Sequence, residues 1–422
     1  KFKTKFTIKK IKIFVSAYAC EPDAGSEIGV GWNWVLQMSK YFELWVLTRK
    51  SNQKTIEIWL EENSNYKSIN FVYFDLPYYL RFWKKGLRGV RTYYNIWQWC
   101  SNSIVKKTMQ TNNIQIFHHL TYGNALWSIS SFGMKQFFIW GPLGGTEIIP
   151  RSFTRNYSFK GKLIESIRRK TIKLLPYNLG FQNRCKHADL ILSKTEIHKN
   201  NIPLRYKHKS VLFTDVAADN LKYKLIDKQN KNNPIIFIVV GKLDPWRGFD
   251  LLIEAFAKAL IKNKNIRLQI LGEGFDQKRL KNLILELGIA QNSQMFGHVS
   301  MKTYRTLMQK ADVVVNPCLK EGAVTTSFDA MAMGKPLICL DTTGYTRYFS
   351  KEYAEIIPIQ SRNKTINNLS KALLKLTDND LRKKMGAMAF ENAQNFSWEN
   401  KGLEIYNIIT RYYNSWLTYR NK

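Results

Sequence analysis

Short, nearly continuous apolar runs alternate with longer amphipathic stretches along almost the whole sequence, and this alternation constrains the fold more than any other feature. The runs are rich in β-branched and aromatic residues, as are strands that are buried on both faces of a parallel sheet. The first half of the chain has seven runs, at 11–18, 42–48, 69–76, 114–120, 136–141, 188–193 and 210–214. The second half has five, at 234–241, 266–272, 293–299, 311–317 and 336–340. Each set has its own helices, which predicts two Rossmann-like, doubly wound α/β domains.

The break between the two sets is predicted at residues 214–233, a polar stretch rich in lysine and asparagine that is followed by Pro234. We therefore expect one domain over 1–213 and a second over 234–397. Ser397 can cap a last helix, whose aromatic side chains need a surface on which to bury. That surface belongs either to the second domain or to the first.

The charge balance is extreme, with 65 Lys and Arg against 32 Asp and Glu and a net charge of +33. Such a surface needs acidic partners, which can be nucleic acid, an anionic membrane or phosphorylated substrates. The five cysteines form no CxxC pair, which argues against a zinc site or a disulfide framework and favours a reducing compartment. No apolar run is long enough to span a bilayer. The basic and apolar N-terminus before Cys20 imitates a secretory signal, but its apolar part is short and alternates like a strand.

Ligands of doubly wound sheets bind outside the carboxyl ends of the strands, so the turns after each predicted strand are the first candidates for a site. After the first strand, Gly25 permits close backbone approach, and Ser26 or Glu27 can cap a helix whose N-terminus attracts anions. An ordinary strand-to-helix turn has the same features. After the eighth strand, Lys242 and Arg247 precede another helix and can clamp a diphosphate. Two solvated cations in a basic protein are the alternative.

The stretch "CLKEGAVTTSFDAMAMGKP" (318–336) places acids around a turn of small residues. The carboxylate of Glu321 can accept hydrogen bonds from sugar hydroxyls, and the amides of 322–324 can bind phosphate. Asp329 can hold a ribose, or it can form a capping box with Thr326, in which case Gly334 only ends the helix. Paired acids also fit a glycoside hydrolase, although the neighbouring anion-binding turns favour a phosphate ligand.

Two further turns are weaker candidates. His118 and His119 end the fourth strand in "IQIFHHLTYGN", where a pair facing the predicted cleft is a better candidate than a single structural histidine. Gly272 and Gly274, in "LGEG", form a glycine turn after the ninth strand. Taken singly, neither feature identifies a ligand.

Taken together and in this order, the turns resemble those of the retaining glycosyltransferases of family 4, which have the GT-B fold and include bacterial enzymes of polysaccharide and glycan assembly. The resemblance covers nearly the whole chain. It is carried by "SAYACEPDAGSEIGVGWNW", "WGPLGG", "VGKLDPWRGFD", "LGEG" and "ADVVVNPCLKEGAVTTSFDAMAMGKPLI". It implies two domains facing a cleft, with the acceptor in the N-terminal domain and the nucleotide sugar in the C-terminal domain. Residues 398–422 are expected to cross back to the first domain.

The resemblance also implies roles for single residues. Lys242 and Arg247 match the cations that grip the donor diphosphate, Glu321 matches the acid that holds the donor sugar, and either His118 or His119 matches the cleft histidine near the reacting carbon. The remaining donor-binding residues are expected to be Gly25, Gly272, Gly274, Gly322, Ala323, Val324 and Asp329. The order of the two cations is reversed relative to the family's usual arginine and lysine, and Asp329 replaces the usual glutamate.

The stretch "YYLRFWKKGLRGVRTYYNIWQW" (78–99) interleaves aromatic and basic residues, and 151–175 repeats the theme. This composition suits an interfacial membrane contact, or a solvated charged face above core aromatics. The residues expected to contact membrane or acceptor are Arg81, Trp83, Lys84, Lys85 and Arg88. We accordingly expect a cytoplasmic protein at the inner face of the cell membrane that acts on a glycan or lipid-linked acceptor.

We expect no metal, no cofactor other than a UDP- or GDP-sugar co-substrate, and no nucleic acid. Two alternatives stand beside this interpretation. One is a nucleic-acid-binding protein, in which the aromatic side chains stack on bases and the cations bind phosphates. The other is a catalytically inactive GT-B protein that only binds its ligands.

Overall fold

The structure is a computed structural model that describes residues 10–84, 89–129, 133–155, 157, 159–218, 233–320, 324–342 and 344–420. These residues form two parallel sheets. The strands of the first sheet are β1 (Lys12–Ser16), β2 (Glu43–Arg49), β3 (Asn70–Phe74), β4 (Ile116–His119), β5 (Phe137–Leu143), β6 (Leu190–Ser193) and β7 (Ser210–Leu212). Those of the second are β8 (Ile235–Val240), β9 (Ile266–Leu271), β10 (Ser293–Gly297), β11 (Val313–Asn316), β12 (Leu337–Asp341) and β13 (Ala354–Pro358).

The spatial order is β3-β2-β1-β4-β5-β6-β7 in the first sheet and β10-β9-β8-β11-β12-β13 in the second. Both orders reverse direction beside the first strand of their sheet, as doubly wound folds do. The helices of the first domain are α1 (Ser26–Ser39), α2 (Gln53–Glu62), α3 (Val90–Thr111), α4 (Phe159–Lys173), α5 (Leu179–His187) and α6 (Glu196–Asn201). The following helices are α7 (Phe249–Lys262), α8 (Gln277–Glu286), α9 (Met301–Lys310), α10 (Thr325–Ala332), α11 (Arg362–Lys375), α12 (Asn379–Ala393) and α13 (Trp398–Arg420).

The first sheet is buried on both faces, which explains why its strands are apolar at successive positions. On β1, Ile13 and Val15 pack in the cluster that contains Trp34 of α1, whereas Phe14 packs in the opposite cluster with Trp97 of α3. Side chains alternate between the faces of a strand, so a sheet covered by helices on both sides needs apolar residues at odd and even positions alike. The predicted two-sheet α/β architecture is confirmed.

The prediction of five strands in the second half is wrong, because a sixth, β13, pairs in parallel with β12. Its sequence, AEIIP, is short, contains a charge and ends in proline. Edge strands have only one neighbour, so they tolerate polar residues and proline and leave a weaker pattern in the sequence.

The last helix packs on the first domain. Ser397 caps it by accepting a hydrogen bond from the Asn400 N–H at 3.2 Å, as predicted. The ring of Tyr406 stacks on Tyr41 with centroids 4.9 Å apart, and Tyr413 meets Phe137 edge-on at 5.6 Å. The aromatic face of this helix therefore packs on the first domain, against β5 and the segment after α1.

The predicted linker begins with buried residues. Thr214 to Ala218 are buried, and Ala218 forms a β-bridge with Ser397. The rest of the predicted linker, apart from residue 233, lies outside the described residues, as do residues 1–9 of the signal-like N-terminus. Within the described part of the chain, no helix is both long enough and apolar enough to cross a membrane.

Candidate functional site

The loop after β8 holds the two predicted diphosphate cations. The Nζ of Lys242 lies 3.4 Å from Asp244 Oδ2, and its side chain is exposed. The guanidinium of Arg247 lies over the ring of Trp246, 4.3 Å from the centroid. Gly248 then starts α7 with a φ of +70°, which glycine adopts without strain. The loop therefore presents one exposed ammonium group and one guanidinium held against an aromatic ring.

Backbone packs against backbone at the carboxyl edge of the second sheet. A Cβ on Gly272 would lie 2.0 Å from the carbonyl oxygen of Gly241, and a Cβ on Gly274 would lie 2.5 Å from that of Leu243. A Cβ on Gly248 would likewise lie 2.0 Å from the carbonyl oxygen of Pro317. These glycines bring the loops after β8, β9 and β11 together because any side chain there would separate them.

The loop after β11 is hydrogen-bonded to the loop after β8. The Leu319 N–H donates to the Trp246 carbonyl at 3.1 Å, and the Nζ of Lys320 lies 5.3 Å from the Trp246 ring centroid. The predicted donor residues Glu321, Gly322 and Ala323 lie outside the described residues. Val324 is described, is buried and is the N-cap residue of α10.

Asp329 does not cap α10. The N-cap of this helix makes no side-chain hydrogen bond, so the capping-box interpretation with Thr326 is wrong. Oδ2 of Asp329 instead accepts a hydrogen bond of 2.6 Å from the Tyr304 hydroxyl of α9. The helix ends as expected, since Gly334 follows it with a φ of +60°. A carboxylate held by a tyrosine between two helices has a defined orientation, and its ribose contact stays a prediction.

The glycine turn after β1 lies against the second domain. Gly25 is the N-cap of α1 and uses no side chain, so the expectation of a Ser26 or Glu27 cap is wrong. The carboxylate of Glu27 instead accepts the Tyr122 N–H at 2.8 Å. A Cβ on Gly25 would lie 3.1 Å from the sulfur of Met301, at the start of α9. The predicted anion-binding turn therefore sits where the two domains meet.

His118 and His119 are both buried, with 0% and 1% of their surface exposed. They point to opposite faces of the sheet, because successive residues of a strand do so. Nε2 of His118 lies 2.8 Å from the Gly141 carbonyl oxygen, and Nε2 of His119 lies 3.1 Å from the Tyr94 hydroxyl. Burial lowers the pKa of His118 to about 4 and that of His119 to about 3, so both rings are neutral at pH 7. A role for either at the reacting carbon stays a prediction.

The predicted membrane residues after β3 are partly engaged with the protein. Arg81 lies 3.9 Å from Asp75, and the Nζ of Lys84 lies 5.2 Å from the ring centroid of Tyr93. Burial, and to a smaller extent Arg49, lowers the pKa of Lys84. The ring centroids of Trp83 and Tyr93 lie 6.5 Å apart. Lys85 and Arg88 lie outside the described residues.

Sequence reasoning missed Glu165, which reaches the second domain from α4. Its Oε2 lies 3.0 Å from the Nζ of Lys320, and both side chains are largely buried. One signal was available, because Glu165 is the only acid in the fifteen-residue helix FKGKLIESIRRKTIK. This lone acid among six cations could have been singled out from the sequence, but the pattern does not identify a partner.

Residues 222–392 match the family described as glycosyl transferases group 1. An uncharacterized glycosyltransferase of Methanocaldococcus jannaschii is 23% identical over 220 residues, or 52% of this chain and 58% of that protein. The chain thus spans little more than half the length of this relative.

Two solved structures resemble the whole fold. Sucrose-phosphate synthase from Thermosynechococcus elongatus has a TM-score of 0.65 at 14% identity, over 96% of this chain and 100% of that one. The Anabaena protein HepE, in complex with UDP-glucose, has a TM-score of 0.58 at 15% identity, over 95% and 100%. The chain therefore has the GT-B fold, and its residues 222–392 are similar to the glycosyl transferases group 1 family.

Proposed function

We propose that this protein transfers a sugar from a UDP- or GDP-sugar to an acceptor, with retention of anomeric configuration and without a metal. The observation that carries the proposal is the meeting of three loops at the carboxyl edge of the second sheet, because the loop that carries Lys242 and Arg247 packs against the backbone at Gly272 and Gly274. Doubly wound sheets bind ligands at this edge. A group 1 family match over the same domain and a structural neighbour solved with UDP-glucose support the choice of ligand.

In this proposal, Lys242 and Arg247 grip the diphosphate and stabilise the negative charge that develops on it as the sugar leaves. Preorganised cations act strongly at such a site because they need no rearrangement during the reaction. Asp329, oriented by Tyr304, binds the ribose, and Glu321 binds hydroxyls of the donor sugar. The acceptor binds across the cleft in the first domain, near Gly25.

The proposed acceptor is a glycan or a lipid-linked glycan at an anionic membrane surface. Large apolar side chains are exposed after β3, at Tyr78, Tyr79 and Phe82, beside the basic residue Arg81. The outer side of α4 likewise exposes apolar residues: Phe159, Leu163, Ile164 and Ile167. Both segments follow carboxyl ends of strands in the first sheet and so lie at the edge that faces the cleft. Aromatic and basic side chains together favour the membrane interface.

Ligand-dependent thermal stability tests the donor site. UDP, GDP, ADP and their sugar conjugates are added to the wild type, to Arg247→Ala and to Lys262→Ala, a control that removes an exposed cation at the far end of α7. A ligand that binds only the folded protein raises its Tm. We expect one uridine or guanosine ligand to stabilise the wild type and the control, and Arg247→Ala to lose most of this shift. Equal shifts in all three proteins, or stabilisation by single-stranded nucleic acid alone, would contradict the proposal.

Product analysis tests the reaction itself. With the donor sugar identified by stabilisation, transfer or slow hydrolysis is followed by NMR of the anomeric proton, which reports retention or inversion before mutarotation. We expect retention, and a rate unchanged by EDTA. An inverted product would refute the retaining mechanism, and loss of activity in EDTA that is restored by Mg²⁺ would refute metal independence.

Vesicle sedimentation tests the membrane surface. Reversal of Arg81, Lys84 and Lys85 to glutamate is expected to release the protein from vesicles containing anionic phospholipid, because each cation near such a surface contributes on the order of 1 kcal/mol. The control reverses three exposed lysines of the second domain, Lys262, Lys281 and Lys302. Equal binding by the two triple variants would refute the assignment of this surface.

A further inference from the structure

Helix α4 contacts the rest of the protein through one narrow face. Glu165 and Ile172 are buried on this face, whereas most of the helix is exposed. Arg168 ties the helix to the first domain by donating from Nη2 to the Gly145 carbonyl at 2.8 Å. The single acid of α4 therefore points inward, whereas Lys162, Lys170 and Lys173 of the same helix are exposed.

The segment that leads into α4 is anchored in both domains. Glu147 accepts hydrogen bonds from Thr195 of the first domain and from its own neighbour, the Gly145 N–H. Ile149 and Phe153 are buried in the core of the second domain, in the cluster that contains Leu243 and Phe249. This segment bridges the domains beside the loop after β8.

A continuous set of contacts runs from α4 to the predicted diphosphate loop. Oε2 of Glu165 lies 3.0 Å from the Nζ of Lys320, whose ammonium lies 5.3 Å from the ring centroid of Trp246. The guanidinium of Arg247 lies 4.3 Å from the same centroid. The Trp246 carbonyl also accepts the Leu319 N–H at 3.1 Å, so ring and backbone of this tryptophan are both held.

Lys320 and Arg247 both lie close to the Trp246 ring, so their charges repel each other. Other contacts must offset this repulsion. A cation over a ring gains of the order of 1 kcal/mol, which is small beside the desolvation of a buried ammonium. Burial lowers the pKa of Lys320, with Arg168 acting in the same direction. The carboxylate of Glu165 acts on this pKa in the opposite direction, and its ion pair holds the Lys320 amine in place.

We infer that Glu165, Lys320 and Trp246 are positioning residues that hold Arg247 in the geometry in which it grips the donor diphosphate. The inference rests on the proposed function and extends it, because the grip on the donor then depends on a helix of the acceptor domain. A guanidinium that is already fixed loses less conformational entropy when it binds phosphate. The donor site is therefore completed only when α4 is docked against the second domain.

Nucleotide affinity in paired variants tests this inference. Glu165→Gln and Lys320→Met are each expected to raise the Kd of the nucleotide diphosphate about three- to tenfold, the loss that follows when one side chain must be ordered on binding. Lys320→Arg keeps the charge and is expected to restore most of the affinity. Lys162→Met, which removes an exposed cation of α4, is the matched control and should bind like the wild type. Lys320→Met leaves Glu165 with Arg168, 3.2 Å away, so the variant should fold.

The decisive comparison repeats Glu165→Gln in an Arg247→Ala background. If Glu165 acts through Arg247, the second substitution adds no further loss of affinity. A loss as large as that seen in the wild type would show an independent role and would overturn the inference, as would unchanged affinity in both single variants.

Hydrogen exchange at the Leu319 amide separates this inference from the proposed function. If the wild type binds no nucleotide, the proposed function fails, but the contacts can still be measured. We expect this amide to exchange faster in Glu165→Gln and Lys320→Met than in the wild type and in Lys162→Met. Unchanged exchange would show that α4 does not hold the loop and would overturn the inference without reference to any ligand.

Discussion

The carboxyl edges of the two sheets both contain close glycine contacts, and the first sheet adds a cluster of aromatic rings. At the second sheet the loops meet backbone to backbone at Gly248, Gly272 and Gly274. The first sheet has such contacts too, since a Cβ on Gly123 would lie 2.0 Å from the Pro142 carbonyl oxygen. In addition, Tyr18 lies against four other aromatic rings at centroid distances of 5.1 to 6.3 Å. These partners are Tyr93, Tyr94, Trp97 and Tyr122.

The two kinds of contact restrict the sequence to different degrees. A backbone contact accepts only glycine, so the turn sequence is tightly restricted wherever one occurs. A contact between rings can be rebuilt from many combinations of large side chains of similar volume. The aromatic cluster of the first sheet is therefore freer to vary in sequence than the glycine contacts of either sheet.

The largest expected effect comes from removing a buried ring of the aromatic cluster at the first sheet. Trp97 is fully buried and donates from its indole N–H to the Phe74 carbonyl at 2.9 Å. Trp97→Ala is expected to lower the free energy of unfolding by about 4 kcal/mol through lost contacts and a cavity. Trp99, two residues further along α3, is 75% exposed, and Trp99→Ala should change stability by less than about 0.5 kcal/mol. Similar losses in the two variants, measured by urea denaturation, would contradict the assigned packing.

The next largest effect comes from adding a Cβ where two loops of the second sheet meet. Gly248 and Gly288 have nearly the same φ, +70° and +66°, but a Cβ would meet the Pro317 carbonyl at 2.0 Å in the first case and nothing within 4 Å in the second. Gly248→Ala is expected to cost about 3 kcal/mol and to abolish nucleotide binding, whereas Gly288→Ala costs about 1 kcal/mol, the strain of φ alone. Equal costs would show that the close approach of the two loops does not limit the residue at 248.

A smaller effect concerns the junction where α13 meets the first domain. Lys401 donates to the Thr214 carbonyl at 3.0 Å, and burial lowers its pKa from 10.5 to about 8. The unfolded chain therefore binds more protons between these two values, and this lysine makes stability rise with pH across that window. From about pH 7 to pH 9.5, the wild type should gain about 2 kcal/mol of unfolding free energy relative to Lys401→Met. Parallel pH profiles for the two proteins would refute the buried position of this amine.

The smallest effect concerns Gly25, in a glycine turn of the first sheet that touches the second domain. Gly25 has an ordinary φ of −90°, and a Cβ there would meet only the sulfur of Met301, at 3.1 Å. Because methionine is flexible, the main cost of Gly25→Ala is the poorer N-cap, and it should stay below about 1 kcal/mol. Adding Met301→Ala should remove only the part that comes from the contact. A loss above about 1 kcal/mol in the single variant would show that this turn is as restricted as those of the second sheet.

Local rules predicted the features that depend on near neighbours. The Ser397 cap and the end of α10 at Gly334 were both found where the sequence placed them, because their partners lie within a few residues. The partner of Asp329 was not predictable in the same way. Thr326 is three residues away and fits a capping pattern, yet Tyr304, 25 residues away, takes the hydrogen bond. The sequence shows that such a carboxylate needs a partner, and packing selects it.

The sequence by itself determined the two-sheet architecture, since parallel strands covered on both faces are largely apolar at successive positions, and it marked glycine turns that follow the strands. Only the tertiary structure decided which groups lie together across the cleft. Glu165 and Lys320 are 155 positions apart, and they meet because α4 turns its one buried face toward the second domain. His118 and His119 are adjacent in sequence, yet the pleat of β4 sends them to opposite faces. Side-chain direction follows from which surfaces are buried, and burial is a property of the assembled fold.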